Sequence, residues 1–194
     1  NIQEYPSLSG RGGAFYAYMQ NETIRTLRKS GLVIPCFDTY IDLSIQQESL
    51  EKAQDLIRTA SAMKVPYVSF CALRDQEEIV RESLSVLLPL AEKEEICILM
   101  KTVGIFADTS RLRTLMDSYA CDELAALWDM HHPFRDLKET PDQTIRNLGG
   151  YVKHVHLRDS NDDLSYSLIG EGTLPVREMM NALSSIDYNG FISL

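Results

Sequence analysis

From Asn21 to the last residue, short apolar runs alternate with longer stretches in which apolar positions recur every three or four residues. The runs have the length and β-branched content of buried strands, and the periodic stretches have the pattern of amphipathic helices. Strands are expected at residues 32–37, 67–71, 96–100, 124–128 and 151–157, with a last one beginning at Phe191. Helices are expected at 22–30, 47–63, 76–93, 109–119, 141–147 and 175–186. In the second of these, Leu50, Ala53, Leu56, Ile57 and Ala60 fall on one face. The punctuation agrees. Asn21 suits an N-cap and Gly31 a helix end, Thr109 or Ser110 suits the next cap, and Pro141 and Pro175 stand in first turns, where a missing N–H costs nothing. Before Asn21 no period is evident. Gly10-Arg11-Gly12-Gly13 reads as a loop, without the preceding strand and following helix that a phosphate cradle needs.

Strands that alternate with helices imply parallel pairing in a helix-covered sheet. The strand ends fall near 38, 71, 101, 129, 157 and 194. The early intervals are roughly 30 residues, the unit length of a βα barrel of eight units in about 250 residues. The pattern therefore predicts an α/β fold, with a βα barrel favoured over an open parallel sheet: six consecutive units of a (β/α)8 TIM barrel, as one partial domain over 1–194. Asn1 is not an initiator Met, and the chain ends in the middle of a strand pattern. A fragment is expected, with two strands missing on the N-terminal side.

Composition narrows the partners. Hydrophobic residues are 44% and charged residues 24%, as in ordinary globular proteins. The formal net charge of -9 and the lack of a basic stripe argue against nucleic acid and against anionic membranes. No apolar run approaches a membrane span and no signal peptide opens the chain. Cys36, Cys71, Cys97 and Cys121 form no CxxC pair and sit in or beside apolar segments, which predicts buried free thiols and a cytoplasmic location.

In a βα barrel the chemistry lies at the C-terminal strand ends. The residues there are Asp38, Lys101, Asp129 with His131 and His132, and His156 with Arg158 and Asp159. All four histidines lie between 131 and 156. Asp129 reads either as a turn carboxylate or as a metal ligand with His132 as a second ligand or substrate contact, since carboxylate plus imidazole suits Mn, Zn, Co or Mg. Period-2 alternation puts His154 and His156 on one strand face. His154 reads as an inner-layer residue and His156, nearer the tip, as a functional one.

Five segments then occur in a familiar order: Lys101-Thr102-Val103-Gly104 through Thr109, Asp129-Met130-His131-His132-Pro133, His154-Val155-His156-Leu157-Arg158-Asp159, Gly170-Glu171-Gly172, and Tyr188-Asn189-Gly190-Phe191-Ile192-Ser193-Leu194. Over residues 21–194 the chain resembles the xylose-isomerase-like TIM-barrel superfamily, the sugar-phosphate isomerase/epimerase group. The resemblance implies a divalent metal (Mn, Mg, Co or Zn) held by Glu, Asp, His and Glu from four strand ends. It makes Asp129 and His156 metal ligands. It also makes His132 a catalytic or substrate-touching residue, and Arg158, Asp159 and Glu171 substrate contacts. The reaction implied is isomerisation or epimerisation of a small sugar, sugar phosphate or polyol ketone by proton transfer beside its carbonyl. The enzyme would be cytoplasmic and possibly a homo-oligomer.

Two departures follow. Lys101 stands where the resemblance expects the first Glu, and the second Glu would follow Leu194. An ammonium has no lone pair and repels a divalent ion, so two of the four ligands remain and metal binding is expected to be weak or absent. Lys101 could pair with Asp129, or form a Schiff base with a carbonyl substrate. The alternative function is a catalytically impaired sugar-binding relative. An abasic-site nuclease, with three zincs, fits worse: no histidine precedes His131 and the charge is -9.

Overall fold

The computed structural model of the protein describes residues 13–45 and 48–194. The expected loop at Gly10–Gly12 and the expected helix start at Gln47 lie outside the described residues. The order is α1 (Gln20–Ser30), β1 (Phe37–Asp42), α2 (Glu48–Met63), β2 (Tyr67–Ala72), α3 (Glu77–Glu94), β3 (Cys97–Gly104), a 3-10 turn, α4 (Thr109–Tyr119), β4 (Leu124–Asp129), α5 (His131–Leu137), α6 (Pro141–Leu148), β5 (Val152–His156), β6 (Asp159–Ser160), β7 (Tyr166–Ser167), α7 (Val176–Ser185) and β8 (Ile192–Ser193). Six strands form one sheet in the order β1-β2-β3-β4-β5-β8, and β6 and β7 form a separate hairpin. Every neighbouring pair in the large sheet is parallel, while β6–β7 is antiparallel. This is a partial (β/α)8 barrel, as the spacing predicts. No described helix is long and apolar enough to cross a membrane.

The central strands β2, β3 and β4 have two buried faces with different contents. The outer face carries Val68, Phe70, Ile98, Met100, Ala126 and Trp128, which join Ile57, Leu84, Leu87 and Leu112 of the helices in the main core. A fully buried side chain of this size contributes about 1.5–3 kcal/mol. The inner face begins apolar, with Cys36, Leu99, Ala125 and Leu127 in a small second cluster. One pleat further on, the same face carries Lys101, Asp129 and His156. Along β3 and β4 the inner face thus runs from apolar, at Leu99 and at Ala125 and Leu127, to charged, at Lys101 and Asp129. All four cysteines are free. Cys36 and Cys71 are buried, Cys97 and Cys121 only partly so.

The first strand differs from expectation. The apolar run 32–37 precedes β1 rather than forming it, and Leu32 and Val33 are exposed. Pro35 has no N–H for a ladder, so pairing starts at Phe37↔Val68. Two caps also differ. The chain enters α1 at Met19, with no side-chain cap, and α4 is capped by Asp108, whose carboxylate accepts from the N–H groups of Ser110 and Arg111. Gly31 closes α1 in the left-handed conformation and Pro141 opens α6, both as expected.

Candidate active site

A cavity of about 130 Å³ opens at the C-terminal end of the sheet, lined by Asp38, Tyr40, Asp129, His156, Leu157, Arg158, Ser193 and Leu194. Asp129 and His156 end β4 and β5 and face each other in register. The end of β4 is fixed by Thr102, whose hydroxyl accepts from the Asp129 N–H at 2.9 Å and donates to the Asp129 carbonyl at 3.1 Å. Asp38, early in β1, reaches the same space, and its Oδ2 lies 3.9 Å from His156 Nε2.

Lys101 lies beneath this floor and does not line the cavity. Its side chain is 2% exposed, its Nζ is 2.5 Å from Asp38 Oδ1, and it sits 4.2 Å from the centre of the Tyr40 ring. The alternative of a pair with Asp129 is therefore corrected: the partner is Asp38. Asp38 Oδ1 also accepts from Ser69 Oγ at 2.6 Å. Burial works to raise the Asp38 pKa, but the Lys101 charge, helped by His156 and these hydrogen bonds, outweighs it and holds the carboxyl below its ordinary value. His156 is pushed down, mainly by burial, with Lys101 and Arg158 adding to the effect against the pull of Asp38 and Asp129. Its Nε2 is buried and takes no hydrogen bond.

Asp129 is committed on both oxygens. Oδ1 accepts from the His131 N–H at 3.1 Å and Oδ2 from Arg158 at 2.9 Å. Arg158 also donates to His132 Nε2 at 2.8 Å and to Tyr166 Oη at 3.2 Å. A guanidinium only donates, so His132 Nε2 carries the lone pair and Nδ1–H donates to Asp136 at 2.9 Å. His132 therefore stands at the rim with both ring nitrogens occupied. Arg158 lines the cavity and ties β5 to α5 and the hairpin.

Asp159, expected to contact substrate, has another task. Its two oxygens accept from the N–H groups of Ser160, Gly170, Gly172 and Leu174 at 2.8–3.2 Å. Burial raises its pKa, and these four bonds together overcome that and lower it. The carboxylate anchors the 170–174 turn and leaves nothing for a ligand. Glu171 is exposed in that turn and does not line the cavity. Tyr40 and Ser193 line it without having been expected there. The alternation Asp38-Thr39-Tyr40 on a strand would have signalled Tyr40, had β1 been placed correctly.

The residues do not fit the implied metal. Among the described residues, no group of three or more His, Cys, Asp or Glu side chains is placed to hold an ion. Asp129 is committed to Arg158, and Asp38 to the Lys101 ammonium. The free donors facing the cavity are His156 Nε2 and Asp38 Oδ2.

Comparison with known proteins sets this geometry in context. The family model described as xylose isomerase-like TIM barrel matches residues 5–194. No curated protein matches the sequence. Among solved structures, a D-tagatose 3-epimerase-like protein superposes with a TM-score of 0.77 at 18% identity, over 92% of this chain and 76% of that one. The probable 3-DHS dehydratase AsbF from Bacillus anthracis gives 0.77 at 16% identity, over 92% and 75%. The IOLI protein, solved with a zinc atom bound, gives 0.71 at 16% identity, over 91% and 73%. These likenesses establish the shared fold, and with the family match over nearly the whole length, the chain belongs to the xylose isomerase-like TIM barrel family.

Proposed function

We propose that the cavity takes a small polyhydroxylated carbonyl compound, a sugar or polyol ketone, and moves a proton between carbons beside its carbonyl, as an isomerase or epimerase does. The carrying observation is that Asp38 and His156 both line one cavity, with Asp38 Oδ2 and the unpartnered His156 Nε2 3.9 Å apart. Asp38 stays ionised and serves as the base. It takes a proton from the carbon next to the carbonyl, and that C–H electron pair forms the enediol double bond. His156 stays neutral in its buried position and donates from Nε2–H to the carbonyl oxygen, as a neutral imidazole can. Return of the proton from Asp38 to the neighbouring carbon, with the hydroxyl proton beside it passing back to His156 Nε2, completes an isomerisation; a solvent proton delivered to the opposite face of the first carbon, with the same return of the hydroxyl proton to His156, completes an epimerisation. Arg158 and Ser193 supply polar contacts for the hydroxyls.

A second reading is binding without turnover. The observation behind it is Lys101 itself, which makes Asp38 a weak base while holding it ionised. One experiment separates the two. Small ketoses and polyol ketones are incubated with the protein in D2O and followed by NMR. The proposal expects deuterium at the carbon beside the carbonyl, with the rate reduced by about 10²-fold or more in Asp38→Asn and in His156→Gln. Saturation transfer to a ligand that never exchanges deuterium would establish the binding reading instead.

A further inference from the structure

The polar end of the barrel interior holds two carboxylates, an imidazole and, in their midst, a buried ammonium. We propose that Lys101 is a permanent built-in cation that takes the place of a divalent ion, so that the pocket handles its ligand without metal, and that exchanging this one charge turns the cluster into a metal site. For its ligand this rests on the sugar or polyol reading above. For the metal it stands alone.

Three observations carry it. First, the ammonium is fixed. Lys101 is 2% exposed, held at 2.5 Å by Asp38 Oδ1 and covered by the Tyr40 ring. A flexible lysine on the surface would swing away from an incoming cation, whereas this one is enclosed. Second, the negative groups around it are balanced without an ion. Asp38 is paired with Lys101 and Asp129 with Arg158, so the four charges sum to zero, and a divalent ion would have to displace a cation to enter. Third, the surrounding atoms are ones that hold metals. Asp38 Oδ2 lies 3.9 Å from His156 Nε2, that nitrogen is buried and unpaired, and both residues line the cavity. A carboxylate at 101 would add a third donor to Asp38 and His156, which is the count a cation with exchangeable waters needs. Lys101 is thus one of the features, with the Asp129–Arg158 pair, that separate this cluster from a metal site.

The built-in charge also explains the selectivity the pocket should have. Its net charge is zero, so a neutral polyhydroxylated ligand enters without an ionic partner. Lys101 acts through Asp38 and touches no ligand, which makes it a positioning residue. It keeps Asp38 ionised with Oδ2 turned to the cavity.

The test is calorimetric titration of Mn and Zn into the full chain, into Lys101→Glu, and into Lys101→Gln. Lys101→Gln guards against misfolding caused by adjacent buried carboxylates, since it removes the cation and leaves Asp38 and His156 as donors, and circular dichroism verifies that each protein is folded. The unaltered chain should show no stoichiometric Mn or Zn binding. Lys101→Glu should bind one ion with affinity raised by roughly 100-fold or more, at the upper end of what residues around a metal contribute, and its melting temperature should rise on adding Mn. Tight one-to-one binding by the unaltered chain would overturn the proposal. So would a folded Lys101→Glu, or, where that variant does not fold, a folded Lys101→Gln, that binds no better than the unaltered chain. In the D2O experiment, deuterium exchange should survive chelator treatment in the unaltered chain, and its abolition by chelator, reversed by Mn, would also overturn the proposal. If no ketose binds or exchanges at all, the sugar reading fails, while the titrations still decide the role of Lys101.

Discussion

Asp159 shows how a single residue can mislead. A carboxylate at a strand end, ahead of a Gly-Glu-Gly turn, has the same sequence appearance whether it contacts a ligand or anchors a loop. The difference lies in four backbone N–H groups from residues 160, 170, 172 and 174 that no local pattern brings together. Asp159→Ala leaves those donors buried without an acceptor. Each unsatisfied donor costs about 1–3 kcal/mol, and partial access of water to the turn brings the expected loss to about 3 kcal/mol. Urea denaturation should register it as a lower midpoint. An unchanged midpoint would mean that the turn finds other acceptors. Lys101, Asp129 and His156 were legible as residues toward strand ends, because the repeat spacing puts them there; Asp38 was singled out as the end of a strand placed too early and stands second in β1. Their pairing was not. Which cation faces which carboxylate depends on side chains from β1, β3, β4 and β5 meeting across the barrel interior.

At the level of elements, the long helices and strands β2 to β5 were readable to within a few residues, β2 to β4 because both of their faces are buried. β1 was misplaced for the opposite reason. Its sequence, Phe37-Asp38-Thr39-Tyr40-Ile41-Asp42, carries three polar groups that are buried because they serve the site or the strand ends. The more apolar run before it contains Pro35. The short α5 and the β6–β7 hairpin left no period to read. Gly104 illustrates a constraint that is visible only in the fold. It ends β3 with φ +61°, and a Cβ there would run into the backbone of Ala72 and Leu73 on the neighbouring strand. Left-handed backbone costs about 1–2 kcal/mol for a residue other than glycine. The collision is with main chain, which cannot rotate aside. Gly104→Ala should therefore destabilise by about 2–4 kcal/mol, in the range of backbone-strain mutants. Thermal unfolding checks it, and a melting temperature within a degree or so of the parent would show that β2 and β3 can separate at this point without cost.

For the whole molecule, the gradient along the barrel interior gathers titratable groups in one buried layer, and this ties stability to pH. Burial, the first cause in each case, lowers the pKa of His131, His154 and His156, that of His154 to about 4. Neighbouring cations add to it: Arg158 at His131, Lys101 at His154, and Lys101 and Arg158 at His156. In the unfolded chain all three titrate near the ordinary histidine value of about 6.5. Below that value the unfolded state binds protons that the folded state refuses, so stability falls as pH falls. The contribution is complete above about pH 6.5 and disappears progressively toward about pH 4. Asp38 and Asp159 carry the trend further. Their folded pKa values lie below the ordinary carboxylate value, so their contribution is present above about pH 4 and is lost at lower pH, as they are protonated. Urea midpoints measured at pH 7.5, 5.5 and 4.5 should therefore decline in order, and the slope between the first two should correspond to proton uptake on unfolding. His154→Gln, which keeps a polar group facing Ser193 Oγ at the present 2.9 Å contact, should flatten the decline. A midpoint that stays level or rises from pH 7.5 to 4.5 would mean that these imidazoles are already charged in the folded protein, and the neutral His156 on which the proton-transfer reading depends would be lost with them.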